Sequence, residues 1–223
     1  MDIMYGIKLA VAASIPLIVG LTLHEVAKGW TARKLGDRYT LRSYNPMDYI
    51  DKIGTLTIPL LVILLTQSLA LFGWCKPVAI NIGNIKNRKD RIILYLSGSI
   101  ANLLMIVFWT LIAVLSFMIE RNIPSIANLP LWDMLALMAK AGIQLNAIFI
   151  VFSLFPLLPF DGGKIVEEFL PRNLAMSYRK VEPYSLYIML FIVFFTPIIR
   201  IAVTYVEFFI TLAIFTPIVG LLN

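Results

Sequence analysis

The chain has 223 residues, of which 60% are hydrophobic and 14% are charged, and its mean hydropathy is +0.86. Soluble domains average about 45–50% apolar and about 25% charged residues, so this composition excludes a soluble globular protein and predicts an integral membrane protein. The formal net charge of +6 does not indicate nucleic-acid binding, because basic loop residues of membrane proteins report orientation and contact with anionic lipid. Cys75 is the only cysteine, which excludes an intrachain disulfide and a cysteine metal cage.

The first predicted element is a helix over residues 1–30, long enough to cross a membrane. Its last turns read His-Glu-Val-Ala-Lys over residues 24–28, and His24 is the only histidine of the chain. The pattern is one substitution away from His-Glu-x-x-His, which places two imidazoles one helical turn apart on zinc with the intervening Glu as general base. Residues four apart share one face of a helix, so Lys28 stands at the position of the second histidine.

The apolar segments that follow predict a hairpin or span over residues 53–72 and four transmembrane helices. These helices cover residues 92–119, 132–160, 184–199 and 201–222. The second of them ends in Pro-Leu-Leu-Pro-Phe-Asp-Gly-Gly over residues 156–163. Two prolines stop a helix there and free backbone groups that must line a polar site, which makes Asp161 a candidate site residue. The sequence shows no internal repeat and predicts one membrane-embedded domain over residues 1–223.

Two topologies are open for residues 53–72. A full span would put the two polar motifs towards opposite faces of the membrane, whereas a re-entrant hairpin would put them on the same side. Of the 19 Lys and Arg residues, Lys28 and Lys140 lie within predicted spans. The rest divide 10 to 7 with a full span and 14 to 3 with a hairpin, where the minority is Lys8, Arg121 and Arg200. The positive-inside rule favours the hairpin and predicts an outside N-terminus, an inside C-terminus and a site near the cytoplasmic face.

The order and spacing of these motifs resemble those of bacterial site-2 proteases, a family of intramembrane zinc metalloproteases, over nearly the whole chain. The pieces that carry the resemblance are His24–Ala27, Leu35–Asp37, Asn45–Pro46, Ile53–Thr55, Phe72–Val78, Gly98 with Asn102, Asn146, Pro156, Pro159–Gly163, Leu170–Pro171 and Glu182–Tyr184. The resemblance implies an all-α polytopic membrane fold with about five transmembrane helices and a re-entrant hairpin. It also implies a multi-pass protein of the bacterial cytoplasmic (inner) membrane.

The resemblance further implies a role for each site residue. In that family two histidines of the first motif and the Asp of the Asp-Gly motif bind zinc, and the motif Glu is the general base that cleaves a transmembrane substrate. His24 and Asp161 would then be metal ligands, with Lys28 in the place of the missing one, and Glu25 would be the base if metal binds. The residues expected to line the site are Asn102, Asn146, Ser153 and Gly162.

Two departures from the family pattern predict impaired catalysis. Catalytic zinc normally has three protein ligands, and a protonated Lys28 would repel the ion instead of binding it. The family usually has Asn eight residues before the Asp, where its amide stabilises the oxyanion, and this chain has Ser153. Two interpretations of Lys28 remain: its ammonium replaces the metal by pairing with Asp161 and Glu25, or it snorkels to the membrane interface.

Three functional classes remain open. The first is a non-catalytic pseudoprotease that binds or regulates transmembrane segments of client proteins within the lipid bilayer. The second is an active zinc metallopeptidase that performs intramembrane proteolysis with an altered metal shell. The third is a transporter or structural protein, which the absence of an inverted repeat disfavours. Nucleic acid is not an expected partner, and the sequence identifies neither the client nor the oligomeric state.

Overall fold

The computed structural model describes residues 3–38, 45–69, 73–123 and 129–221, which form helices and turns and contain no strand. The helices are α1 (Ile3–Lys34), α2 (Ile58–Thr66), α3 (Arg88–Asn122), α4 (Pro130–Ser153), α5 (Asp161–Phe169), α6 (Arg172–Arg179), α7 (Ser185–Phe195), α8 (Ile198–Ile210) and α9 (Thr216–Leu221). The described residues do not include residues 70–72 of the predicted hairpin, among them Phe72 of the family motif. They also do not include Arg42, which was counted among the basic loop residues. The predicted all-α fold is confirmed.

Among the described residues, four helical stretches are long and apolar enough to cross a membrane, which confirms a polytopic membrane protein. They are Ile3–Lys34, Arg88–Asn122, Pro130–Ser153 and the continuous run Ile198–Ile218. The predicted span over residues 184–199 is instead the 11-residue helix α7. At about 1.5 Å per residue it covers about half of a hydrocarbon core that is about 30 Å thick. It ends there because Pro197 disfavours a helical conformation of Thr196, which is extended.

The last helices run away from the candidate site. The predicted site residue Asn102 lies in the first half of α3, and Phe117 lies near the other end of this helix. The ring centroid of Phe117 is 6.0 Å from that of Phe215. The C-terminal helical run therefore ends beside the far end of α3, on the side of the bundle opposite the site. The predicted placement of the site and the C-terminus at the cytoplasmic face stays a prediction.

The segment before α3 turns back on itself as a hairpin, and its predicted re-entrance into the membrane stays a prediction. A π-helical turn (Lys52–Thr57) and α2 form its first arm, and the returning chain meets the start of that arm. The Trp74 N–H donates to the Gly54 carbonyl at 3.1 Å, and the Thr55 hydroxyl donates to the Trp74 carbonyl at 2.8 Å. Gly54 is needed at this crossing, since a Cβ there would lie 2.3 Å from the indole ring of Trp74. The two ends of the hairpin thus lie next to each other.

Small residues let α1, α3 and α4 pack closely around the site. Ala13 of α1 and Ala141 of α4 are fully buried in one apolar cluster with Leu17 and Leu145. Across the α3–α4 contact, a Cβ on Gly142 would lie 2.4 Å from the indole of Trp109. Close helix contacts of this kind are typical of membrane bundles, where packing replaces the hydrophobic effect as the driving force. They bring the polar residues of three helices within hydrogen-bond distance of one another.

Candidate functional site

The centre of the candidate site is an ion pair between α1 and α5. Lys28 Nζ lies 3.0 Å and 2.9 Å from the two carboxylate oxygens of Asp161, and 3.6 Å from Oε1 of Glu25. Lys28 is 9% exposed and Asp161 is 4% exposed. The predicted pairing of this ammonium with both carboxylates is confirmed, and the alternative that Lys28 snorkels to the interface is wrong.

The chain break after α4 puts the Asp161 carboxylate in this position. α4 ends at Ser153, and α5 starts at Asp161 after a turn that contains both prolines. A Cβ on Gly162 would lie 2.1 Å from the Leu154 carbonyl oxygen, and one on Gly163 would lie 2.2 Å from the carbonyl carbon of Leu157. The glycine pair therefore lets α5 begin directly against the preceding turn, with Asp161 in its first turn, where the helix dipole favours a carboxylate.

His24 is held by a buried chain of amides. Its Nδ1 lies 2.8 Å from Asn102 Oδ1, and Asn102 Nδ2 donates to Asn146 Oδ1 at 3.1 Å. Because the amide nitrogen of Asn102 is the donor in that bond, its oxygen is the acceptor and Nδ1 carries the proton. The other ring nitrogen, Nε2, lies 3.4 Å from Asp161 Oδ2. Asn102 and Asn146 are fully buried, and Gly98 leaves room for the imidazole ring.

Ser153, where the family usually has Asn, is engaged with the same carboxylate. Its hydroxyl donates to Asp161 Oδ2 at 3.2 Å, and the Ser99 hydroxyl donates to Ser153 Oγ at 3.3 Å. The structure thus brings together every residue that the sequence predicts for the site.

Three further contacts were missing from the sequence-based site. Lys164 Nζ lies 3.3 Å from Asp161 Oδ1, a contact that the spacing of three residues on a helix could have indicated. Ser99 lies one residue after Gly98 of the family pattern. The Val78 backbone N–H donates to Glu25 Oε2 at 2.8 Å, and a main-chain donor of this kind leaves no signal in a sequence.

The electrostatics of the site keep Asp161 ionised and Cys75 neutral. Burial raises the pKa of Asp161, but the charges of Lys28 and Lys164 outweigh burial and hold that pKa well below its ordinary value. Burial, together with the negative charge of Glu25, raises the pKa of Cys75 to about 12. Cys75 is therefore a thiol that donates to the Leu21 carbonyl at 3.4 Å, and it is not a thiolate ligand.

The residues present do not fit a catalytic zinc ion. The described part of the chain has no group of three or more His, Cys, Asp or Glu side chains placed to hold a metal. The charges of Glu25 and Asp161 are already balanced by those of Lys28 and Lys164, so a divalent cation would add uncompensated charge to a buried site. Catalytic zinc requires three protein ligands and an open coordination position, whereas His24 and Asp161 supply only two ligands.

A cleft of about 830 Å³ opens beside the ion pair, and Glu25, Lys28 and Asp161 are among the residues that line it. One wall is apolar and comes mainly from the chain that returns from the hairpin, with Pro77, Val78, Ile80 and Ile82. The other wall carries charged side chains of α5 and α6, among them Lys164, Glu167, Arg172 and Arg179.

Comparison with known proteins is consistent with this geometry and with the motifs. Over 204 residues the chain is 29% identical to YwhC of Bacillus subtilis (strain 168), which is provisionally named a zinc metalloprotease. The alignment covers 87% of this chain and 84% of YwhC. The chain is thus similar, over most of its length, to a protein provisionally named a zinc metalloprotease, and it has the helices of a multi-pass membrane protein. No family model matches the chain, and no solved structure matches it.

Proposed function

We propose that this site-2-protease-like protein is non-catalytic and binds a transmembrane segment of a client protein. The observation that carries the proposal is the bidentate contact of the Lys28 ammonium with Asp161. In a hydrolytic site of this kind the Asp would hold a metal ion that activates water, whereas here both of its oxygens face a fixed cation.

The other groups that peptide hydrolysis needs are also engaged. A general base must be free to take a proton, but Glu25 accepts a hydrogen bond from Val78 through one oxygen and faces Lys28 with the other. An oxyanion donor must be aimed at the substrate, but the Ser153 hydroxyl is directed to Asp161. The side chains at the positions of the general base and the oxyanion donor therefore have structural roles in this protein.

The cleft supports the client-binding part of the proposal. An apolar wall opposite a charged wall matches the end of a transmembrane segment, where apolar residues give way to charged flanking residues at the membrane boundary. In the segment that leads into the apolar wall, the N–H groups of Trp74, Lys76 and Val78 bond to the protein. These bonds fix the segment in place beside the cleft, so that its apolar side chains form a preformed surface for a client.

The basic residues support a site at the cytoplasmic face of a bacterial inner membrane. With four crossings, Arg200 at the third position of α8 joins the side of the site. The division of the Lys and Arg residues other than Lys28 and Lys140 then becomes 15 to 2, with Lys8 and Arg121 as the minority. This distribution agrees better with the positive-inside rule than the 14 to 3 predicted from sequence.

The test uses a fluorescent single-span peptide with an apolar core and a basic flank, reconstituted with the protein in bicelles. We expect wild-type protein to bind the peptide and leave it intact, with or without a zinc chelator. An Ala175→Trp variant, which fills the cleft, is the matched control and should lose binding. Cleavage that requires Glu25 and stops with chelator would establish the active peptidase instead, and equal binding by wild type and Ala175→Trp would contradict client binding in the cleft.

A further inference from the structure

Lys28 stands between two carboxylates that belong to different walls of the cleft. Asp161 begins α5, which with α6 forms the charged wall, and Glu25 contacts the apolar wall through Val78. Lys28 lies 2.9 Å from the nearer Asp161 oxygen and 3.6 Å from the nearer Glu25 oxygen. The Lys28 ammonium therefore connects the carboxylate that contacts the apolar wall to the carboxylate that begins the charged wall. Arg91 connects the two sides at a separate point, through Glu168 and the Ile85 carbonyl.

Glu25 is the central anchor of the apolar wall. Upstream, the N–H groups of Trp74 and Lys76 bond to the base of the hairpin, at Gly54 and Tyr49. Downstream, the Asn81 N–H donates to Asp37 at 2.7 Å. Between these attachments the Val78 N–H donates to Glu25 at 2.8 Å. The position of the middle of the wall thus depends on where the Glu25 carboxylate is held.

The two carboxylates would separate without a cation between them. Glu25 and Asp161 are both buried, and like charges in a buried site repel strongly because little water screens them. Lys164 also contacts Asp161, at 3.3 Å, but it is on the charged wall itself and its side chain is 35% exposed. Lys164 can neutralise Asp161 without joining the two walls.

We propose that Lys28 takes the place of a metal ion as the cation that joins the two walls of the cleft and thereby sets the width of the cleft. The inference rests on the proposed function in treating the cleft as the client site. The width itself is measured without a client, so a failure of this inference and a failure of client binding give different results.

The experiment measures the distance between a spin label at Ala79, beside Val78 of the apolar wall, and a second label at Ala175 of α6, by pulsed electron paramagnetic resonance. The background carries Cys75→Ser, which removes the only native cysteine and keeps a donor towards the Leu21 carbonyl. Lys28→Met is expected to lengthen the mean distance by a few ångströms and to broaden the distribution. Lys164→Met removes a cation that contacts the same carboxylate. Because Lys164 does not join the two walls, this variant should leave the distance unchanged. An unchanged distance in Lys28→Met, or an equal change in both variants, would overturn the proposal.

A second arm asks whether a metal can substitute for the ammonium. Lys28→His places an imidazole one turn after His24, and we expect its cleft to be wide without metal and to return to the wild-type distance on addition of zinc. Lys28→Met should remain wide with zinc. If zinc fails to narrow the cleft of a folded Lys28→His variant, Lys28 does not occupy the place of a metal. Lys28→Arg keeps the positive charge and serves as the folding control. If only this variant remains folded with the wild-type distance, the loss of folding in Lys28→Met and Lys28→His results from the loss of the charge.

Discussion

Lys28 and Asp161, 133 residues apart in sequence, form a buried bidentate contact that joins the end of α1 to the start of α5. Each is the main partner of the other's charge in a site that excludes most water. Removing one partner of such a pair leaves an uncompensated buried charge, whereas removing both does not. The site is therefore expected to be most sensitive to single substitutions.

Asp161→Asn should destabilise the protein by about 3–5 kcal/mol, because it leaves the Lys28 ammonium buried without its closest counter-charge. The double variant Lys28→Met/Asp161→Asn should be more stable than Asp161→Asn alone. Thermal unfolding in detergent measures both, with Asp133→Asn on the exposed start of α4 as the control for loss of a carboxylate. A double variant less stable than either single variant would contradict the pairing.

The pH dependence of stability should also depend on Asp161. Its folded pKa is depressed, so its contribution is fully present above the unfolded pKa of about 3.9 and is lost as the pH falls below that value. The difference in melting temperature between wild type and Asp161→Asn should be the same at about pH 7 and pH 5 and should shrink below about pH 4. Comparison with this variant cancels the titration of the other carboxylates. A difference that already shrinks between neutral pH and pH 5 would be inconsistent with a depressed pKa.

The Asn102 amide should fix the proton of His24 on Nδ1. As the chain has one histidine, ¹⁵N-histidine labelling gives signals from a single imidazole. At alkaline pH, wild-type protein should show a protonated Nδ1 and an unprotonated Nε2. In Asn102→Leu, which removes the acceptor, the proton should move to Nε2 in a substantial fraction of molecules. Identical spectra for the two proteins would show that the contact does not control the tautomer.

Gly98 should be required for the position of the His24 ring. An added Cβ would lie 2.4 Å from His24 Nε2, so Gly98→Ala must displace the imidazole and should destabilise the protein by about 1–3 kcal/mol. Gly6→Ala is the matched control on α1, since the nearest atom to its added Cβ is at the ordinary distance of 3.5 Å. Thermal unfolding and the histidine spectrum should change in Gly98→Ala and not in Gly6→Ala. Equal effects of the two substitutions would contradict this account.

The parts of the fold that were predictable are those that depend on charge and spacing. The distribution of Lys and Arg favoured a hairpin over a full span, because that distribution depends on the number of crossings before each loop, and the segment does turn back at Gly54 and Trp74. The pairing of Lys28 with Asp161 and Glu25 followed from chemistry, because a buried ammonium among two carboxylates has few other stable arrangements. Neither conclusion required knowledge of side-chain packing.

The parts that were not predictable depend on local breaks and on backbone groups. The apolar run before Thr196 has the composition of a span, and the effect of Pro197, which limits its helix to 11 residues, was missed. The contact of Val78 with Glu25 uses a main-chain N–H that any residue except proline could supply at that position. The function of Glu25 as an anchor of the cleft wall is therefore visible only in three dimensions.

The zinc content of the purified wild-type protein, measured by elemental mass spectrometry, tests the central claim most directly. Protein from cells grown with added zinc should be compared with Asp161→Asn, which lacks the carboxylate ligand. The account predicts no more zinc in wild type than in that variant, because Lys28 holds both Asp161 oxygens. Close to one zinc per wild-type chain, lost in Asp161→Asn, would contradict it and would establish a metal centre at this site.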